Sequence, residues 1–130
     1  MAMKALKDFY QVSQLAYPKA QTGTFTTSAL DFANMLENVI VIKTGIITDG
    51  AYTAALYDSP DNTTYTLVNT STTAGYQIGA FVALASSAVQ KVSYIGAQRY
   101  VNVVVTATTA TTGVVMDVEA IIRPRKMPAI

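Results

Sequence analysis

The feature that most constrains the fold of this chain is a run of β-branched residues that ends in a tight turn. The run is Asn38 to Ile47, Asn-Val-Ile-Val-Ile-Lys-Thr-Gly-Ile-Ile, and Thr48-Asp49-Gly50 follows at once. Val and Ile favour the extended backbone of a strand, and Gly50 allows the positive φ that a tight turn needs. Ala51 to Asp58 then alternates between two faces. We therefore predict two strands joined as a hairpin.

Two more strands are predicted near the C-terminus, where valine recurs at alternate positions. Valines occur on both faces of Arg99 to Thr106, which is typical of a central strand covered on both sides. Val114 to Ile122 has apolar residues on one face and Asp117 and Glu119 on the other, which indicates a half-buried strand with one wet face. The Thr-rich tract 107–113 is predicted to join the two strands as a hairpin loop.

Shorter strands complete the predicted fold. They are expected at residues 29–33, Thr63 to Val68 and Lys91 to Ile95. Ala80 to Gln90 is compatible with a short helix or an extended loop, and its turn-like flanks and internal serines favour the loop. About seven or eight short strands at irregular spacing predict an all-β fold, an antiparallel β-sandwich with the jelly roll as its preferred form.

The N-terminal residues 1–28 differ from the predicted β-sandwich domain of residues 29–122. They combine lysines and Pro18 with large apolar side chains and show little periodicity. An extended N-terminal arm that docks on a neighbouring molecule has this mixture, and so does an edge strand folded back along its own domain. The sequence leaves both interpretations open. In an arm, the residues expected to bind a partner are Lys4, Lys7, Phe9, Tyr10 and Tyr17.

The C-terminal residues 123–130 form a basic tail that contains two prolines. Prolines keep such a segment extended, and its positive charges can pair with an acidic surface. One interpretation is a tail that binds a partner through Arg123, Arg125 and Lys126. The other is a solvated end with no specific role.

Catalysis is disfavoured by the composition of the chain. It contains no His and no Cys, so the usual general base, the thiol nucleophile and the soft metal ligands are absent. We expect a non-enzymatic protein with no catalytic residue, no metal and no cofactor. Asp49, Asp58 and Asp61 fall at predicted loops, but their order does not match an EF-hand, so they are expected to stabilise turns. Asp117 and Glu119 are expected to be plain surface carboxylates.

The charge and the N-terminal sequence bound the partners further. A formal net charge of +1 provides no excess of positive charge for nucleic acid or an acidic membrane. The start Met-Ala-Met-Lys-Ala-Leu-Lys is followed by Asp8-Phe9-Tyr10 rather than by an apolar run of signal-peptide length, and the apolar runs elsewhere are too short to cross a bilayer. We expect no nucleic-acid partner, no membrane partner and synthesis in the cytoplasm.

Asp31-Phe32 and three later segments carry a resemblance to a known class of proteins. The three segments are Val-Ile-Val-Ile-Lys-Thr-Gly-Ile-Ile-Thr-Asp-Gly-Ala-Tyr-Thr at 39–53, Leu-Tyr-Asp-Ser-Pro-Asp at 56–61 and Val-Ser-Tyr-Ile-Gly-Ala-Gln-Arg-Tyr-Val-Asn-Val at 92–103. In these segments the chain resembles small head-associated proteins of tailed bacteriophages, over about residues 29–122. A structural corner is expected in the third segment, where Gly96 bends the chain, Arg99 holds a loop with its planar fork and Tyr100 begins a strand.

The resemblance implies a virion structural protein made in the host cytoplasm. It implies a capsid decoration or cement protein on the outer surface of the phage head, a homotrimer that binds the major capsid protein where capsomers meet. Such a protein works by adding contact area at many symmetric sites. Two other classes stay open. One is a neck or tail component of the virion, and the other is a carbohydrate-binding β-sandwich module that uses exposed tyrosines.

Overall fold

The computed structural model describes residues 9–33, 35–68 and 77–124. Within these ranges the chain forms ten strands and no helix. The strands are β1 (Gln11–Gln21), β2 (Phe25–Thr26), β3 (Leu30–Asp31), β4 (Met35–Ile47), β5 (Ala51–Ser59), β6 (Thr66–Leu67), β7 (Gln77–Ile78), β8 (Val89–Tyr94), β9 (Tyr100–Thr108) and β10 (Val114–Pro124). All pairings between them are antiparallel, so the prediction of an all-β antiparallel sandwich is confirmed.

The strands divide into two sheets. Sheet A has the order β1-β10-β4-β8-β7, and sheet B has the order β2-β9-β5-β6, with β3 also paired to β9. Four of the pairings are nested in the sequence: β1 with β10, β2 with β9, β4 with β8 and β5 with β6. The pairings of β4 with β10 and of β5 with β9 join these nested pairs side by side. The chain therefore passes repeatedly between the two sheets.

Both hairpins predicted between long strands are wrong. The turn Thr48-Asp49-Gly50 connects β4 of sheet A with β5 of sheet B, and residues 109–113 connect β9 of sheet B with β10 of sheet A. The turn residues make the chain change direction there. They do not determine whether the two strands that flank the turn pair with each other. Crossing between sheets buries an apolar face of both connected strands in one core, which a free two-stranded hairpin cannot do.

The core lies between the sheets and follows the alternation in the sequence. Alternate residues of β10 from Val114 to Ile122 are buried, as predicted for its apolar face, but Asp117 on the face predicted to be wet is buried as well. Val101, Val103 and Val105 of β9 have no exposed surface and face this row from the other sheet. Each fully buried valine or leucine contributes about 1.5–3 kcal/mol relative to an exposed one, so these rows supply much of the driving force for folding.

The described part of residues 1–28 follows the edge-strand interpretation. β1 pairs with β10 from Gln11 opposite Ile122 to Gln21 opposite Val114, and Leu15 enters the core. Two register shifts interrupt the pairing around Ala16 and Pro18, as expected where a proline cannot donate a backbone hydrogen bond. The following residues belong to β2 and β3, which pair with β9. At the other end β10 runs on to Pro124, so the predicted tail begins inside a strand.

Of the segment Ala80 to Gln90, residues 80–88 form a loop and the last two begin β8, so the helix alternative is wrong. Its backbone is held by sandwich strands on both sides. The N–H of Leu84 donates to the carbonyl of Tyr52 at 2.9 Å, and the hydroxyl of Thr44 donates to the carbonyl of Ala85 at 2.5 Å. These bonds satisfy backbone groups that a helix would have paired internally.

Candidate functional site

The corner predicted around Arg99 lies where the loops before β4 and β9 meet. Arg99 donates from Nε and Nη2 to the two carboxylate oxygens of Asp31, both at 2.9 Å. Its guanidinium carbon also lies 5.1 Å from the centre of the Tyr100 ring. These hydrogen bonds, with one from the N–H of Ala33, hold the pKa of Asp31 below its usual range. The pair is well exposed, so it orients the loops more than it stabilises the fold.

Tyr94 lies beneath this corner and joins three parts of the chain. Its hydroxyl donates to Oδ2 of Asp58 on β5 at 2.7 Å and accepts the N–H of Gln98 at 3.1 Å. The Phe32 ring packs against it with 5.4 Å between centroids. Gly96 lies at the bend, directly over the Tyr94 ring, where any Cβ atom would collide with the ring. Glycine is therefore required there by close approach.

A pocket of about 570 Å³ opens at the same corner. Its volume is within the range of small-ligand pockets. Leu36 and Ile95 are exposed at the pocket, and the side chains of Asn38 and Arg99 there are engaged in hydrogen bonds. The amide of Asn38 exchanges two hydrogen bonds of 2.8 Å with the backbone of Tyr94. The pocket therefore presents apolar and polar surface in similar amounts, with Leu36 and Ile95 accessible to a side chain of a partner.

Two of the predicted partner-binding residues come together at one end of sheet A. The hydroxyl of Tyr10 donates to Oε2 of Glu37 at 3.0 Å, and Nη1 of Arg123 lies 3.6 Å from Oε1 of the same carboxylate. Phe9, which precedes Tyr10 in the sequence, is exposed, and Tyr17 on the edge strand β1 is 76% exposed. Lys4, Lys7, Arg125 and Lys126 lie outside the described residues. Glu37, which holds Tyr10 and Arg123 together, was missed because its partners are remote in sequence.

The outer face of sheet A, the face turned away from the core, carries a compact charge cluster. The ammonium of Lys43 lies 3.5 Å from Oδ2 of Asp117 and 3.1 Å from Oε1 of Glu119. The hydrogen bond to Glu119 and the charge of Asp117 raise the pKa of Lys43. Asp117 and Glu119 therefore share one cation, and the prediction of a plain surface carboxylate is wrong for Asp117, which is buried. Lys43 was missed because pairing of β4 with β10, which sets it opposite Asp117, is a long-range feature.

Large apolar side chains are exposed on the strands of sheet A. The set includes Val12, Tyr17, Ile46, Val89 and Val115. Ile46 is 75% exposed because Gly45 and Ile46 of β4 face a single residue of β10, Val115, at a bulge. Exposed apolar groups beside internally paired charges are typical of a surface that binds another protein.

The turn carboxylates behave differently from one another. Oδ1 of Asp61 accepts the backbone N–H groups of Thr63 and Thr64 at 2.9 and 3.0 Å, which lowers its pKa and fixes the turn after β5. Asp49 also accepts backbone N–H groups, in the loop before β10. The prediction is wrong for Asp58, which points inward and accepts from Tyr94. In the described ranges no three acidic side chains are grouped so that they could hold a metal ion.

No protein-family model matches this sequence, and no curated protein matches it. The described part of the chain has no helix of the length and apolarity needed to cross a membrane.

Proposed function

We propose that this chain is a non-enzymatic virion structural protein, a decoration or cement protein of a tailed-phage head. In this role a homotrimer sits on the outer surface of the head and binds the major capsid protein across capsomers. The observation that carries the proposal is the outer face of sheet A, where Ile46 and Val115 are exposed beside the Lys43 cluster. The proposed site is thus a protein-binding surface rather than a reaction centre.

The physical properties of this face suit lattice binding. Burial of exposed apolar surface contributes roughly 25 cal/mol per Å². Covering charges that are already paired costs less desolvation than covering the same charges apart. A modest contribution at each site is multiplied when one particle offers many equivalent sites. Tyr10 and Arg123, which converge on Glu37, extend the same face towards the end of β1.

The topology supports the jelly-roll form of the proposal. The nested pairing of β1 with β10, β2 with β9, β4 with β8 and β5 with β6 is what a rolled hairpin of strands produces. Double-sheet jelly rolls are common among viral capsid domains. The segments that resemble phage head proteins form most of β4 and β5 and the corner between β8 and β9. These elements belong to both sheets of the sandwich.

The test is a count of copies bound to capsids that lack this protein. Purified protein is mixed with such capsids, and the bound copies per particle are measured by co-sedimentation and densitometry. Saturation at hundreds of copies supports a decoration protein, whereas saturation at about a dozen indicates a neck or tail component at one vertex. No binding to capsids, together with binding on a glycan array, indicates the carbohydrate-binding module.

Variants locate the binding face in the same assay. Ile46→Glu places a charge in the exposed apolar part of sheet A, and we expect a loss of capsid affinity of roughly tenfold or more. Val82→Glu is the matched control, since Val82 is similarly exposed but lies in the loop before β8. Equal occupancy by both variants contradicts binding through sheet A.

A further inference from the structure

The strand β10 ends beside the corner pocket described above. Its last residue, Pro124, lies opposite Met35 of β4, and Met35 lines the pocket. A register shift separates this pair from Arg123 opposite Glu37, so Leu36 is the extra residue of a bulge on β4. Leu36 is 54% exposed at the pocket. The chain therefore leaves sheet A at the edge of a pocket that displays an uncovered apolar side chain.

The residues that follow Pro124 match this pocket in length. Residues 125–130 lie outside the described residues, and their sequence is Arg-Lys-Met-Pro-Ala-Ile. Met127 is three residues beyond Pro124, so an extended backbone carries it up to roughly 10 Å from the end of β10. Ile95, which also lines the pocket, follows the end of β8, two strands from β10 and thus about 10 Å away at roughly 4.8 Å per strand. Met127 can therefore reach across the pocket.

We infer that residues 125–130 of this chain fold back over the corner and place Met127 in the pocket. The unbranched thioether side chain of methionine fits irregular gaps and makes favourable contacts with aromatic rings. Phe32 and Tyr94, whose ring centroids lie 5.4 Å apart, both line this pocket. Its volume of about 570 Å³ is in the range that holds a small ligand, so it has room for a methionine side chain and neighbouring backbone atoms.

Apolar contact rather than charge holds the segment at the corner. Two basic residues precede Met127 in the sequence, but the carboxylate of Asp31 already pairs with Arg99. The carboxylate of Glu37 already pairs with Arg123. Covering exposed apolar side chains is favourable without any charge pairing. The proline after Met127 restricts the backbone there, which lowers the entropy lost on docking. We therefore expect docking to be insensitive to salt.

Disulfide trapping in the full chain tests the inference. The sequence contains no cysteine, so only introduced thiols react. Ala97→Cys provides a thiol at an exposed position of the pocket, and Ala129→Cys provides one in the segment while leaving Met127 in place. The effective concentration of the two thiols is measured against the glutathione redox couple, and mass spectrometry identifies the disulfide.

A matched pair places the first thiol at a similar distance but outside the pocket. Val12→Cys with Ala129→Cys serves, because Val12 is exposed on β1, on the opposite side of β10 from the pocket. Val12 pairs with Ile121, so it lies roughly 11 Å from Pro124. We expect the effective concentration to be roughly tenfold or more higher for the pair with Ala97→Cys, at low and at high salt. Equal values overturn the inference.

Further substitutions in the segment identify what holds it. Met127→Ser, added to the pair of Ala97→Cys and Ala129→Cys, should lower the effective concentration to the level of the matched pair, because the apolar side chain is lost. An unchanged value overturns the inference. Arg125→Ser together with Lys126→Ser should leave the effective concentration unchanged. A fall that occurs only at low salt shows that charge holds the segment and overturns docking through Met127.

The fold and the origin of the docked segment are checked on the same variants. Circular dichroism verifies that each variant is folded, and if Ala97→Cys is not, Ala33→Cys provides a thiol at the same pocket. A disulfide between two chains that is lost on dilution overturns the inference and identifies a second copy as the source of the segment. Docking of the segment does not depend on capsid binding, and no capsid takes part in the assay, so its failure is distinguishable from failure of the virion role.

Discussion

The carboxylate of Asp49 accepts the backbone N–H of Gly113 at 2.8 Å, across 64 residues of sequence. It also accepts the N–H groups of Thr111 and Thr112 at 3.1–3.2 Å. The turn between β4 and β5 thereby fixes the connection between β9 and β10. Both connections cross between the sheets, so one side chain ties two of the crossings together.

Acid should weaken the protein through this carboxylate. The three N–H donors hold the pKa of Asp49 below its usual value of 3.8 in the folded state. Its contribution to stability is therefore fully present above pH 3.8 and is lost as the pH falls through the lower folded-state pKa. Asp31 and Asp61 act in the same direction. We expect the urea midpoint of wild type to drop between about pH 5 and about pH 2.

The variants Asp49→Ala and Asp49→Asn isolate this contribution. Asp49→Ala should lower the urea midpoint near neutral pH and show a smaller acid-induced drop than wild type. Asp49→Asn keeps an acceptor oxygen without the titrating charge, so its midpoint near neutral pH should lie between the other two. Parallel pH profiles for wild type and Asp49→Ala contradict the assignment.

Gly113 should be sensitive to substitution, whereas Gly23 should not. Gly113 has φ of +85°, and an added Cβ would collide with the carbonyl of Gln21 on β1. Gly113→Ala should therefore lower the free energy of unfolding by about 1–3 kcal/mol. Gly23 has open space where a Cβ would stand, so Gly23→Ala should change it by less than about 1 kcal/mol. Urea unfolding of both variants makes the comparison, and equal effects contradict the structural role of Gly113.

The hydroxyl of Tyr94 should matter more than that of an exposed tyrosine. Tyr94→Phe removes the donor to the buried carboxylate of Asp58 and the acceptor for Gln98. We expect a loss of about 1–3 kcal/mol in the free energy of unfolding. Tyr17→Phe is the control, because Tyr17 is largely exposed, and it should be nearly neutral. A neutral Tyr94→Phe means that the hydroxyl does not join β5 to the corner.

Strand positions were predictable because alternation is a local property. The apolar face of Val114 to Ile122 is buried as its pattern indicates, and β4 and β5 lie where the β-branched run and the turn place them. Strand partners were not predictable from the same pattern. A turn such as Thr48-Asp49-Gly50 looks alike in a hairpin and in a crossing between sheets, and only the shared core distinguishes them. The sequence left residues 1–28 open between an arm and an edge strand, because Pro18 and two bulges interrupt the apolar alternation of β1.

The candidate surfaces were predictable only in part. Tyr10, Tyr17 and Arg123 were selected as large or charged side chains near the ends, and the structure brings Tyr10 and Arg123 to Glu37. The exposure of Ile46 could not be predicted, since it follows from a bulge between β4 and β10. This feature depends on a pairing between residues far apart in sequence.

Asn38 should control how firmly the end of β8 is held to β4. Its side chain donates to the carbonyl of Tyr94 and accepts the Tyr94 N–H, both at 2.8 Å. These bonds lie beyond Ile40 and Val92, the last pair of residues in register between β4 and β8. Asn38→Ala removes both bonds, and we expect a loss of about 1–3 kcal/mol and faster hydrogen exchange at the Tyr94 amide. Asn38→Asp keeps the acceptor but not the donor, so its exchange rate should be intermediate.

Ser93→Ala provides the matched control for Asn38, because the Ser93 hydroxyl donates to the carbonyl of Asn38 at 2.7 Å without touching the amide bridge. It should leave exchange at the Tyr94 amide close to wild type. If Ser93→Ala and Asn38→Ala accelerate exchange equally, the end of β8 is held by strand packing as a whole and the side-chain bridge has no separate role. If only Asn38→Ala does so, the amide of Asn38 is the link that positions Tyr94, and through Tyr94 the corner pocket, against sheet A.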